Sequence, residues 1–184
     1  MLPELHTRRL RLLPLSPRDA DDMYALMRLP EVMRYTSMPP QTREGSDAFL
    51  EKRWLAGMRA GHIASWTVRA PDGKFLGHAS VFGIDEKNHS AEIGYVLMPH
   101  AWGQGHAGET VAALVRYGFD YRGLARLNAD VDPANRASAR VLEKHGFVRE
   151  GFRRADGYKE GAFYDCVLYG LLNERRINEL APVK

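Results

Sequence analysis

Gly103-Gln104-Gly105-His106-Ala107-Gly108 packs three glycines into six residues between two segments of different periodicity. Upstream, Ala91-Glu-Ile-Gly-Tyr-Val-Leu-Met98 reads as a strand closed by Pro99. Downstream, Val111, Leu114, Val115 and Phe119 recur at helical spacing, with Glu109 and Thr110 in the first turn. Glycines let a backbone approach a ligand closely, and a helix start offers unpaired N–H groups carrying partial positive charge. The stretch therefore predicts a strand–loop–helix that binds a pyrophosphate.

The same six residues also spell G-x-G-x-x-G, the dinucleotide fingerprint, and Asp130 stands about 20 residues further on, where that fingerprint wants an acid. The order of elements argues against a nicotinamide-dependent oxidoreductase. That fold needs the motif in the first strand–helix turn of an alternating run, whereas three strands in succession precede it here. A P-loop is excluded because no Gly-Lys-Ser/Thr follows the glycines. A glycine-rich surface turn is the plain alternative.

The chain has 184 residues, of which 45% are hydrophobic, enough for one domain with a proper core. Its net charge of +3 and absence of any block of like charges favour an anionic small ligand over a nucleic-acid backbone. The single cysteine, Cys166, rules out an internal disulfide, and the seven histidines lack metal-ligand spacing, so no metal is expected. The start carries no basic segment followed by an apolar one and no run is long enough to span a membrane, which predicts a cytoplasmic protein.

Outward from the loop, Leu10 and Leu12 alternate with Arg9 and Arg11 in a first amphipathic strand, Arg8 to Leu15. Ser16-Pro17 caps a helix with Met23, Leu26 and Met27 inside, ended by Leu29-Pro30. A longer helix runs from Thr42 to Gly61. Ile63 to Arg69 and Lys74 to Phe82 form a hairpin about Pro71-Asp72-Gly73. Arg126 to Val131 is a strand and Asn135 to His145 a helix closed by Gly146. Phe147 to Arg154 and Ala162 to Leu172 are strands turned around Asp156-Gly157. The prediction is a single α+β domain over 1–184, core about 7–172 and tail 173–184, with a mixed, mostly antiparallel sheet of roughly six to seven strands and about four helices.

Four segments, in order, resemble the GNAT superfamily of N-acetyltransferases. They are Thr7-Arg-Arg-Leu-Arg-Leu-Leu-Pro-Leu15 with Asp19-Ala20; Pro30-Glu-Val-Met-Arg-Tyr35; Glu92 to Pro99 with Trp102 to Glu109; and Asn135-Arg-Ala-Ser138 with Glu143-Lys-His-Gly-Phe147. The branch they are most similar to is the RimJ/RimL-like ribosomal-protein N-terminal acetyltransferases. The family's cofactor motif, Gln/Arg-x-x-Gly-x-Gly/Ala, falls on Trp102, Gly105 and Ala107, so Trp102 departs from it. The resemblance implies acetyl-CoA as co-substrate. Main-chain N–H groups from Gly103 through Gln104, Gly105, His106 and Ala107 to Gly108 would hold its pyrophosphate. Tyr95, Val96 and Leu97, on a strand splayed from its neighbour in the centre of the sheet, would pair with the pantetheine arm, and Asn135 would bond it from the opposite wall. Arg136, Arg140 and Lys144 are placed to meet phosphates or to form a solvated helix face.

Acetyl transfer to an amine requires a base for the amine proton, a polarised carbonyl and a proton for the leaving thiolate. The resemblance implies direct attack, without a covalent intermediate on Cys166, and an oxyanion donor at the N–H of Val96 or Leu97. Leu142 occupies the position where many relatives carry an acidic tyrosine, which passes the role of general acid to Ser138. Glu92 and Asp130 compete as general base, each with a structural salt bridge as its alternative reading. Tyr35 and Tyr158, in predicted loops, are candidates for contact with the acceptor, either a protein N-terminus or a small amine. A non-catalytic acyl-CoA-binding relative is the rival within the family, and the chain is expected to be a monomer or homodimer.

Overall fold

The computed structural model describes residues 2–181. β1 (Leu5–His6) and β2 (Arg11–Pro14) make a short hairpin in which Leu10 and Leu12 are buried and Arg9 and Arg11 exposed, as the alternation predicts. A 3-10 turn at Pro17–Asp19 leads into α1 (Ala20–Met27), whose Met23, Leu26 and Met27 are buried. A single turn, α2 (Pro30–Met33), follows. α3 (Arg43–Phe49) then continues through a π-helical stretch, Leu50–Leu55, into α4 (Ala56–Ala60). The Thr42 side chain caps α3 by accepting from the Gly45 N–H.

The remaining strands are β3 (Ile63–Arg69), β4 (Phe75–Asp85), β5 (Ser90–Leu97), β6 (Arg126–Val131), β7 (Val148–Lys159) and β8 (Ala162–Leu172). They join the first two in one sheet of order β1-β2-β3-β4-β5-β6-β8-β7. Every pairing is antiparallel except β5 with β6. Between those two strands come α5 (His106–Arg116), extended by a π-helical stretch at Tyr117–Tyr121; α6 (Arg136–Lys144) follows β6, and α7 (Glu174–Leu180) follows the sheet.

The core lies in two layers, one on each face of the sheet. Val111, Leu114 and Leu142 of α5 and α6 pack with Trp66, Leu127 and Val131 on one face. Met23, Met27, Leu50 and Leu55 of the N-terminal helices pack together on the other, with Val96 and Trp54 against them. Among the described residues, no helix is long and apolar enough to cross a membrane.

The class matches the sequence reading, and the counts are corrected upward to eight strands and seven α-helical segments. Pro30 opens α2 instead of only ending a helix, because the first helical position needs no N–H donor. The segment read as a tail from residue 173 forms α7, capped by the Asn173 side chain accepting from the Arg176 N–H at 3.2 Å. The last hairpin reverses at Glu160-Gly161, where both residues have positive φ, as a two-residue hairpin turn requires. Asp156-Gly157, read as that turn, instead lies within β7 at a register shift.

Candidate active site

β5 and β6 pair only at Ser90↔Arg126, Ala91↔Leu127 and Glu92↔Asn128. Beyond Glu92 both strands continue without pairing, and a cleft of about 990 Å³ opens along the gap. Antiparallel alternation decides which main-chain groups face it. Met98 N–H donates to the Leu76 carbonyl at 2.8 Å, so the main chain of Val96 also turns towards β4 and that of Tyr95 and Leu97 towards the gap. Gly77 fits that arrangement: its φ of 154° and the Val96 carbonyl beside it leave no room for a Cβ. The Leu97 carbonyl is taken by the Trp102 indole N–H at 2.8 Å, leaving its N–H open. Of the expected pair, Leu97 turns its N–H to the gap and Val96 turns its own towards β4.

At one end of the cleft the glycine loop enters α5. Gly103 and Gly105 hold φ of 72° and 79°, a backbone that costs other residues dearly. Glu109 anchors the loop from the first turn of α5, accepting from the Thr7 hydroxyl at 2.6 Å, the Arg9 N–H at 3.1 Å and the Arg9 guanidinium at 2.5 Å. Burial pushes its carboxyl up, but these bonds outweigh burial and hold it below the usual range. Gly103, Gly105, His106, Ala107 and Gly108 line the cleft; Gln104 does not, and its side chain donates to the His100 carbonyl at 2.7 Å. The Nδ1 of His106 is buried without a partner among the described residues. Arg140 and Lys144 line the cleft and pair with no carboxylate among the described residues, while Arg136 lies outside it. Asn135 caps α6 with its side-chain oxygen, accepting from the Ser138 N–H at 3.1 Å, and its amide N–H₂ remains free for a ligand.

The orphaned imidazole, the unpaired cations, the glycine loop and the unzipped strand edge fit a long anionic ligand rich in amides. A dinucleotide reading fares badly, since the sheet is mostly antiparallel and Asp130 is not free to hold a ribose.

The two candidate bases share one sheet face, because Glu92 pairs with Asn128, two residues from Asp130. Their surroundings differ. Asp130 forms a salt bridge with Arg153, which also reaches Asp156 at 2.7 Å. Asp130, Asp156 and Cys166 bring donor atoms within 4.8 Å of one another, and Arg153 bridges the two carboxylates. Glu92 has no hydrogen-bond or ion-pair partner among the described residues. Burial, then the nearby charge of Asp130, pushes its pKa up to about 7. Burial likewise pushes the Cys166 thiol up to about 11.

Tyr95 neighbours Gly94 and Val96 on β5, so its side chain leaves the opposite face of the sheet. There its hydroxyl lies 2.9 Å from that of Ser138 on α6. Burial raises the Tyr95 pKa against the opposing effect of that bond, so the phenol is a proton carrier at neutral pH. The gap thus has a carboxylate on one side and a paired hydroxyl on the other.

Tyr35 lines the cleft with the Arg34 guanidinium 5.2 Å over its ring. Lys159 fixes that turn by donating to the carbonyls of Met33, Arg34 and Thr36 at 3.3, 2.8 and 2.8 Å. Tyr158 belongs to β7 and not to a loop; it is 63% exposed and packs edge-on against Phe163, outside the cleft lining. Sequence reasoning missed Arg153, Lys159 and the Tyr95 hydroxyl. Only the last left a signal, a phenol within the strand already assigned to the ligand.

The family model described as an acetyltransferase (GNAT) domain matches residues 9–148. YoaA of Bacillus subtilis (strain 168), an uncharacterized N-acetyltransferase, is 32% identical over 176 residues, 95% of this chain and 99% of its own. A GNAT-family acetyltransferase from Bacillus anthracis superposes with a TM-score of 0.81 at 26% identity, over 94% of this chain and 99% of that one. RimJ of Mycobacterium smegmatis, solved with a CoA disulfide, gives 0.82 at 23% identity over 94% and 87%, which shows a shared fold. With the match spanning the β5 gap, the glycine loop and α6, the chain belongs to the GNAT acetyltransferase family and is an acyltransferase.

Proposed function

We propose that this protein moves the acetyl group of acetyl-CoA to a primary amine, at a protein N-terminus or on a small molecule, by direct attack in a ternary complex. The observation that carries this reading is Glu92, an unpaired carboxylate at the mouth of the β5–β6 gap with its pKa raised to about 7. A base near the working pH takes a proton from an ammonium group and releases it again readily, and Glu92, five residues along β5 from Leu97, would take it through intervening water.

Bound acetyl-CoA supplies an activated acyl carbonyl. The chain's own residues do the rest. Main-chain groups of Tyr95 and Leu97 would hold the amide-bearing arm along the open edge of β5. N–H groups of the loop, with His106, Arg140 and Lys144, would take the phosphates. The Leu97 N–H is the donor for a carbonyl oxygen that gains charge. Ser138 gives up a proton on the sulfur side, and the Tyr95 hydroxyl beside it holds that hydroxyl in place and can refill it. Cys166, kept protonated by burial, is a poor nucleophile, which supports attack by the amine itself.

Thermal unfolding with acetyl-CoA and, separately, with NADH tests the ligand. At about 100 times Kd a ligand adds roughly 2.7 kcal/mol, several degrees in Tm, and acetyl-CoA alone is expected to do so. Thiol release in the presence of amines tests the chemistry. The wild-type kcat/KM should rise with pH through about 7 as Glu92 ionises. Glu92→Gln should lose that rise and about 10²- to 10⁴-fold in rate. An unchanged pH profile in the variant would remove Glu92 from the role.

A further inference from the structure

On the Glu92 face of the sheet a second cavity, of about 290 Å³, adjoins the main cleft, with Arg53, Phe82 and Val96 lining both. Its walls are largely apolar, set by Met23, Met27, Met33, Phe49 and Trp54, with Thr36 and Ser37 on the side shared with the cleft. Methionine and aromatic walls accommodate large apolar groups of differing shape. His78 completes the lining without adding charge: it is buried, its ring sits 4.6 Å from Trp54, and its Nε2 lies 2.6 Å from the Ser65 hydroxyl. At the rim, the Arg53 guanidinium stands 5.5 Å from the Trp54 ring and 5.8 Å from that of Phe49. Arg43 and Arg59 of the same helical run each have a carboxylate partner, while Arg53 has none among the described residues.

Strand register places these features along one face. Phe82 pairs with Glu92, Ser80 with Gly94 and His78 with Val96, all on one sheet face. Glu92 and Val96 stand about 13 Å apart along the strand, with the Phe82 ring packed over Gly94 between them, so the cavity opens at the Val96 end. An amine placed to attack a carbonyl held at the Leu97 N–H would lie beside Val96, with the apolar cavity and an uncommitted cation as its neighbours.

We propose that the acceptor carries a carboxylate and a bulky apolar side chain on the same carbon as its amine: a free α-amino acid of leucine, methionine or phenylalanine type, or an analogue. The side chain fills the methionine-lined cavity and the carboxylate pairs with Arg53. This rests on the acetyl-transfer reading and narrows its acceptor. A polyamine would set cationic groups beside Arg53 and leave the cavity empty. A peptide N-terminus would present a neutral amide there, leaving the guanidinium unpaired.

The test is thiol release from acetyl-CoA with leucine, methionine and phenylalanine, their carboxamides, glycine, spermidine and a peptide, using wild type and Arg53→Gln. The three free acids should show the highest kcat/KM. Their carboxamides should fall about 10- to 100-fold with wild type, and acid and amide should converge in Arg53→Gln. Arg53 is exposed and without an ion pair, so the variant should lose only its stacking on Trp54 and Phe49, a fall of at most about 4 °C in Tm, which separates a lost contact from a lost fold. Faster turnover of spermidine, glycine or the peptide, or an acid-to-amide ratio that Arg53→Gln leaves untouched, overturns the inference and keeps acetyl transfer. Release with no amine overturns both.

Discussion

Glu92 and Asp130 are the same functional group on the same face of one sheet, and a single guanidinium separates their chemistry. Arg153 holds Asp130 in an ion pair, whereas Glu92, half-buried and beside that pair, keeps its proton to about 7. On the other face, Tyr95 and Ser138 act as one unit, since each hydroxyl is the other's partner. Ser138→Ala and Tyr95→Phe should each lower kcat by at least about tenfold, and the double variant should cost little more than the worse single one. Fully additive losses in a double-mutant cycle would show that the two hydroxyls work independently. All four residues could be singled out in the sequence, three as catalytic candidates and Tyr95 for its main chain. The pairing with Arg153 could not, because it depends on the register of β6, β8 and β7 and on a shift between Arg153 and Gly157. Periodicity carries no record of such a shift.

The strand–loop–helix built on the three glycines was legible because its signals are local: a pleated run, positive-φ glycines and an apolar helical stripe. Arg126–Val131 and Ala162–Leu172 appear with the boundaries their sequences suggest. What escaped was short or set by distant contacts, such as the single turn α2, the reversal at Glu160-Gly161 and the π-helical stretches within two long helices. The anchoring of Glu109 by Thr7 and Arg9 joins positions a hundred residues apart, so no window along the chain reveals it. The loop itself makes a clear prediction. Gly105→Ala puts a Cβ at φ 79° and 3.1 Å from the Arg9 guanidinium, a strain of about 1–2 kcal/mol. That is worth about 2–8 °C of Tm in a domain of this size, and KM for acetyl-CoA should rise with it. An unchanged Tm and KM would mean the loop tolerates another backbone shape.

At the scale of the whole molecule, Glu92 ties stability to pH. A carboxylate with a pKa of about 7 when folded, against an ordinary value of 4.5, binds its proton more tightly in the folded state. That advantage is complete below pH 4.5 and is lost as pH climbs to about 7. Melting curves of wild type and Glu92→Gln from pH 4 to 8 should therefore diverge, with the variant gaining on wild type across that interval and holding its lead above it. A gap that does not vary with pH would mean that Glu92 is not perturbed. The same carboxylate that equips the site thus weakens the fold at neutral pH.

The three residue pairs joining β5 to β6 have a mechanical consequence. A plate of five strands and a plate of three meet at one corner, as two boards share a single short seam. A ligand along the open seam would brace both plates, so loading is expected to stiffen the molecule and release to slacken it.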